Sequence, residues 1–164
     1  MADTVVDKNQ AVIDFLITCP KIRNSPLYFN FIEATDDSKQ IVTLANDKAL
    51  NHSYIDGSVL KQYTFTIVDY KSVAYQAVVK MTGYPNENVE EMMDSQAIID
   101  WVTQQNRLKN YPNFGPKCEI EEMEAATDNP TLNGVDTSVN PSLAKYSISI
   151  KITYLDTTDV IWGN

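Results

Sequence analysis

Few residues of this sequence could do acid–base chemistry. The single histidine, His52, lies beside Ser53 and close to Asp56, a set that could relay a proton. A lone histidine in a polar segment is usually plain surface, because catalysis also needs a pocket and a group that orients the imidazole. The sequence has no Gly-rich phosphate loop, no G-x-S-x-G and no C-x-x-C. We therefore expect a protein that is not an enzyme and uses no cofactor.

An acidic run is the second group with a conceivable chemistry. Its four carboxylates belong to Glu119, Glu121, Glu122 and Glu124. On a regular strand they would point to both faces, and such oxygen ligands suit a hard cation. The D-x-D-x-D-G spacing of a calcium loop is missing, and one histidine with two distant cysteines does not make a usual zinc site. A solvated or interface-facing acidic strand without a metal is therefore the favoured interpretation.

Length and charge narrow the function classes. The 164 residues, 43% of them hydrophobic, suffice for one domain with a sizeable core. A net charge of −9 argues against binding a nucleic-acid backbone or an anionic membrane, since either needs clustered Lys and Arg. The first apolar stretch, residues 11–17, is too short for a signal sequence or a membrane span, so we expect folding in the cytosol. Cys19 and Cys118 are then most simply reduced apolar residues, with one cross-link as the alternative.

Period-two alternation predicts the strand around which the chain is organised. Within residues 59–70, Tyr63, Phe65 and Ile67 lie on one side and threonines on the other, as in a strand with one buried face. Further strands are expected at residues 27–34, 40–45, 117–125 and 145–155. The first two are predicted to pair as one hairpin and the last two as another. Residues 72–81 fit either a strand or a short helix.

Periodicity of 3.6 residues predicts two helices. Asp7 can cap a short one that ends near Thr18, with an apolar stripe formed by Val12, Ile13, Leu16 and Ile17. Residues 89–110 form the longest, acidic at its start and basic at its end, with an inward stripe formed by Ile98, Trp101, Val102, Gln105 and Leu108. We therefore expect one α+β domain over residues 1–164, with an antiparallel sheet of about four strands and helices on one face.

Two segments are the candidate interaction surfaces. Residues 127–142 are polar and contain two prolines, which predicts a long loop that makes no core and contacts partners. The tail, residues 156–164, ends in apolar residues that we expect to dock on an adjacent subunit or another partner. With the acidic run, the candidate interface residues are Glu119, Glu121, Asp128, Leu132, Asp136, Val139, Val160, Ile161 and Trp162.

Three parts of the chain carry a resemblance to a known family. They are Y-I-D-G-S-V-L-K-Q-Y-T-F-T-I at residues 54–67, A-I-I-D-W-V-T-Q-Q-N at 97–106 followed by N-Y-P-N-F-G at 110–115, and Y-S-I-S-I-K-I-T-Y-L at 146–155. In these segments the chain resembles the tail terminator proteins of long-tailed bacteriophages of Gram-positive bacteria, also called tail completion or minor capsid proteins. The shared motifs are structural, so no catalytic residues carry over.

The resemblance implies an α+β subunit whose six copies close into a ring. Such a ring caps the tail tube, stops its polymerisation and offers a docking face to the head connector. The implied partners are further copies of the chain, the tail tube protein and the connector or stopper protein, while DNA passes through the lumen without specific binding. The implied location is the tail–head interface of the virion, after assembly in the bacterial cytoplasm and without a membrane. The alternatives are a stopper or head–tail joining protein and, from another class, a small cytosolic enzyme without a recognisable site.

Overall fold

The computed structural model of the chain describes residues 7–23, 25, 27–29, 39–43, 48–72, 87–127, 130–136 and 143–158. Within these ranges the helices are α1 (Lys8–Leu16), α2 (Pro20–Arg23) and α3 (Glu87–Leu108). The strands are β1 (Leu27–Phe29), β2 (Lys39–Thr43), β3 (Lys48–Ser53), β4 (Val59–Ser72), β5 (Cys118–Ala125), β6 (Thr131–Asp136) and β7 (Leu143–Asp156). None of the described helices combines the length and the apolar composition that crossing a bilayer requires.

The sheet is built on two long central strands. β4 and β7, each of 14 residues, pair antiparallel along their whole length, from Val59 opposite Asp156 to Ser72 opposite Leu143. At about 3.3 Å per residue such a strand spans about 45 Å. Threonine and serine side chains lie on one face of this pair, where Thr66 Oγ1 and Ser149 Oγ are 3.1 Å apart. The middle of this face is therefore polar, and the opposite face forms the core.

Shorter strands cover the outer edges of the central pair. β2 and β3 pair with opposite halves of β4, and β5 and β6 pair with opposite halves of β7. β1 pairs in parallel with β2, and every other described pair is antiparallel. The main strand order is β1-β2-β4-β7-β5, so β1 and β5 lie at its two ends.

The core lies between the apolar face of the sheet and the helices. The sheet contributes buried residues from β4 and β7, namely Tyr63, Phe65, Ile67, Ile148, Ile150, Ile152 and Tyr154. The helices contribute Val12, Phe15, Leu16, Ile98, Ile99 and Val102. Each such side chain stabilises the fold by about 1.5–3 kcal/mol when it leaves water. The predicted α+β class and the predicted inward faces of residues 59–70 and 145–155 are confirmed.

Local hydrogen bonds define where the two longer helices begin and end. The Asp7 carboxylate accepts the backbone N–H of Asn9 at 2.9 Å, which confirms the predicted cap of α1. At the end of α3, Lys109 adopts φ 54°, and the N–H of Asn110 donates to the Gln105 carbonyl at 2.9 Å. This is the Schellman arrangement, with a lysine at the left-handed position that glycine usually takes. The chain then turns sharply, and Phe114 packs edge-on against Tyr154 with ring centroids 5.5 Å apart.

The predicted hairpin between residues 27–34 and 40–45 is wrong, because β1 and β2 run parallel. The pairing sets Leu27 beside Lys39 and Phe29 beside Ile41, on the core side of the sheet. Alternation of apolar residues defines the face of a strand but is the same for both chain directions. The direction of β1 was therefore not readable from its pattern.

Three other expectations differ from the structure. Residues 127–142 are not wholly a loop, because β6 lies within them and pairs with β7. Residues 48–53, read as a polar connection, form β3, which pairs with β4. Ile17 and Leu108 were assigned to buried stripes but are 46% and 65% exposed, because each lies at or just beyond the last turn of its helix. Phe15 is buried on α1 instead.

Candidate interaction surface

The acidic strand β5 lies at the end of the sheet and contains a β-bulge. Ile120 is opposite Tyr154, but Glu122 is opposite Thr153, so Glu121 is the extra residue. Without the bulge, Glu122 and Glu124 would face the core opposite Ile152 and Ile150. With it, Met123 is opposite Ile152 and is buried, while Glu124 is opposite Lys151 on the other face.

The bulge therefore brings all the carboxylates of β5 to solvent. Glu119, Glu121, Glu122 and Glu124 are all exposed. The expectation that they would point to both faces of the strand is wrong, because the register shift moves the last two to the solvent side. Among the described residues no three Asp, Glu, His or Cys side chains are grouped as metal ligands. Charge on an edge strand also discourages unwanted strand pairing.

A side chain from α3 supports the bulge. Asn106 Oδ1 accepts the backbone N–H of Met123 at 2.9 Å and also lies 2.9 Å from the hydroxyl of Tyr111. The Tyr111 hydroxyl is 3.3 Å from the carbonyl oxygen of Glu121. Burial and the neighbouring charge of Glu122 raise the pKa of Tyr111. Tyr111 thus joins the acidic strand to the turn that follows α3.

A groove lies on the other side of Tyr111, between α1 and the turn after α3. It has a volume of about 410 Å³. Its lining residues are Asp7, Gln10, Ala11, Asp14, Phe15, Tyr111, Pro112 and Asn113. Phe15 and Pro112 are buried and lie deep, whereas Asp7 and Asp14 are exposed at the rim. Gln10 donates from Nε2 to Asp14 Oδ1 at 2.8 Å, which holds that carboxylate against the helix.

An ion pair and an exposed turn lie where β4 begins and β7 ends. Lys61 Nζ lies 2.8 Å from Asp156 Oδ2. Burial alone would raise the pKa of Asp156, but hydrogen bonds from Lys61 and Thr158 and the charge of Lys61 lower it to about 2. The turn between β3 and β4 presents Ile55, which is 94% exposed. The Asp56 carboxylate supports this turn by accepting the N–H of Ser58 at 2.9 Å, and the hydrogen bonds from Ser58 lower its pKa.

A second ion pair is buried beneath α3. Lys39 and Asp69 are opposite each other on β2 and β4, with 3.3 Å between Lys39 Nζ and Asp69 Oδ1, and their side chains are 2% and 0% exposed. Ser95 donates to Asp69 Oδ2 at 2.7 Å, and Lys39 donates to Ser25 Oγ at 3.0 Å. The network joins a helix to two strands. The only sign of this network in the sequence is that Asp69 occupies a position of β4 that faces the core.

The structure places only part of the predicted interface. Glu119 and Glu121 are exposed on β5, while Leu132 and Asp136 belong to the backbone of β6, on the same edge of β7. The other candidates lie outside the described residues: Asp128, Val139, Val160, Ile161 and Trp162. Residues 73–81, which fitted two conformations, lie outside them as well. The sequence reading missed the groove because it took Asp7 as a helix cap and Tyr111 as part of a turn.

The remaining residues that the sequence analysis considered for chemistry lie in ordinary structural environments. His52 lies within β3, so it is part of a paired strand rather than of a polar loop. Cys19 and Cys118 are both free thiols, and burial raises the pKa of Cys19. The reduced state, rather than a cross-link, is the one the structure contains. No protein-family model matches the chain, and no curated protein matches it in sequence.

Proposed function

We propose that this chain is a structural subunit of bacteriophage tail assembly, the tail terminator, six copies of which form a ring on the end of the tail tube. The proposal starts from the resemblance over residues 54–67, 97–106, 110–115 and 146–155. Those segments supply most of β4 and β7, much of the C-terminal half of α3 and the turn that follows it. They are the parts of the chain that build the sheet and its covering helix.

The observation that carries the proposal is the exposed acidic strand at the end of the sheet. A subunit of a closed ring must contact its neighbours through two different surfaces, and it must also line a central opening. Four outward carboxylates on β5 give one side of the subunit a strongly negative surface. If this surface lines the opening, it repels the phosphates of DNA, which would pass through without adhering.

The main ionisable pair in the described core favours a structural role over an enzymatic one. Lys39 and Asp69 form an ion pair with 3.3 Å between Nζ and Oδ1, yet their side chains are 2% and 0% exposed. A general acid or base must reach its substrate directly or through one water molecule. We therefore assign this pair to the stability of the fold.

The proposal can be tested on the purified protein and on phage. Light scattering after size-exclusion chromatography should give six times the 18.5 kDa mass of the chain, and electron microscopy should show six-fold rings. Particles that lack the protein should have tails of uncontrolled length or tails that fail to join heads. A purely monomeric chain together with normal infectious particles in its absence would refute the proposal.

A charge-reversal variant tests the placement of β5. Changing Glu122 and Glu124 to lysine should leave the fold intact, because both are exposed, but should cause DNA to bind to the assembled rings. Changing Asp14 and Asp100, which are exposed on α1 and α3, to lysine gives a control with the same change in net charge. Equal DNA retention by both variants would mean that β5 does not line the opening.

A further inference from the structure

We propose that the groove between α1 and residues 111–113 binds an extended basic segment of a partner protein. The segment would carry two arginines on one side and apolar groups between them. The inference does not depend on the role in tail assembly, because it rests on the shape and charge of the groove alone.

The groove combines an apolar base with two separated carboxylates. Phe15, 8% exposed, and the buried Pro112 lie deep, and Ala11 lies between the two carboxylates along α1. Asp7 and Asp14 are seven residues apart, which is about two helical turns or about 10 Å along the axis. Long cationic side chains can lay their alkyl stems on such a base and reach carboxylates at the rim.

An extended peptide matches this spacing. A chain in the polyproline II conformation repeats every three residues and rises about 3.1 Å per residue. Two arginines at positions i and i+3 therefore point to the same side, about 9 Å apart. The guanidinium group suits a carboxylate because its planar fork donates two parallel hydrogen bonds, and it also stacks on an aromatic ring such as that of Tyr111.

The charges around the groove favour a foreign partner over a second copy. None of the described residues that line it is basic. The acidic surface continues beyond Tyr111, where Glu121 and Glu122 of β5 are exposed. The chain as a whole has 22 acidic and 13 basic residues, so the surface of a second copy offers this groove fewer basic than acidic side chains. A basic segment of another protein is attracted to the same surface.

The test uses the whole chain and the probe peptide Pro-Arg-Pro-Leu-Arg-Pro-amide with a fluorophore on its amino terminus, and binding is followed by fluorescence anisotropy. Saturable binding that weakens with added salt is expected. D7N and D14N should each weaken binding about 2–5-fold, the range of one exposed ion pair. Both variants keep the local structure. At position 7, asparagine caps a helix as well as aspartate does. At position 14, the side-chain carbonyl of asparagine can still accept the hydrogen bond from Gln10.

Asp100 provides a matched control. It is exposed on α3 and accepts from Gln96 Nε2 at 3.2 Å, the same four-residue pairing that Gln10 makes with Asp14. D100N removes the same charge away from the groove and should change affinity less than twofold. A probe with both arginines replaced by glutamate should not bind.

Three results would overturn the inference. The first is equal binding by D7N, D14N and D100N, which would place the peptide elsewhere. The second is displacement of the probe by spermidine at the same concentration at which unlabelled peptide displaces it. The groove would then attract any polycation and would not recognise the peptide. The third is self-association of the unlabelled chain that D14N abolishes and D100N does not, which would make a second copy the occupant. Rings that still form in any of these cases would leave the proposed function standing.

Discussion

The buried pair of Lys39 and Asp69 gives the sharpest prediction about stability. Removing one partner by K39M or D69L leaves the other side chain in a site that is nearly closed to water. Loss of one member of a buried ion pair costs about 3–5 kcal/mol, because the remaining group loses its counter-charge in a site that excludes water. Domains of this size are stable by about 5–15 kcal/mol, so each single variant should still fold but should be markedly weakened.

The double variant K39M/D69L should be much less damaging than the two single losses added together. It removes both charges, so the chief remaining cost is the buried hydroxyl of Ser95, which loses the acceptor that it contacts at 2.7 Å. The half-buried hydroxyl of Ser25 loses only the donor Lys39. An unsatisfied buried hydroxyl costs about 1–3 kcal/mol. The coupling energy of the double-mutant cycle should therefore be about 3 kcal/mol or more in favour of the pair.

Urea denaturation followed by circular dichroism at pH 7 measures these free energies of unfolding. The pair of Lys61 and Asp156 is the control, because its side chains are 31% and 15% exposed and should couple by no more than about 1 kcal/mol. Additive losses at Lys39 and Asp69, or single losses below about 1 kcal/mol, would refute the view that burial makes this pair costly to break.

Three further predictions concern local features. The pKa of Asp156 in the folded protein is about 2, below the ordinary 3.8. The contribution of its carboxylate to the free energy of unfolding is therefore complete above about pH 4 and is lost as the pH falls toward 2. This contribution amounts to at most about 2 kcal/mol. Acid titration of unfolding should show this loss in the wild type and a smaller one in D156N. Replacing Lys109, at φ 54°, by glycine should stabilise the protein by about 0.5–1 kcal/mol, whereas R107G, two residues earlier and within α3, should destabilise it by about 1 kcal/mol. A stabilising R107G or a neutral K109G in thermal melts would contradict this. Removing residues 159–164, which spares the hydrogen bond from Thr158 to Asp156, should weaken association and change the thermal midpoint little; a strongly lowered midpoint with unchanged association would show that the tail packs on its own subunit.

Local patterns in the sequence determined the main elements of the fold. Alternation in β4 and β7 predicted which side chains face the core, because a strand places successive residues on opposite faces whatever it pairs with. Asp7 predicted the start of α1, since a cap acts only on its own first turn. The α+β class followed from these elements, and the acidic character of β5 was evident from its residues alone.

Tertiary structure decided which surfaces these elements create. The bulge at Glu121 turned Glu122 and Glu124 outward, because the register of β5 is set by its pairing with β7 and not by its own alternation. The parallel direction of β1, the burial of Lys39 beside Asp69 and the groove beside Tyr111 likewise depend on residues far apart in the chain. Local periodicity contains no information about such partners, and so the candidate binding surface became visible only once the helices and the sheet were in place.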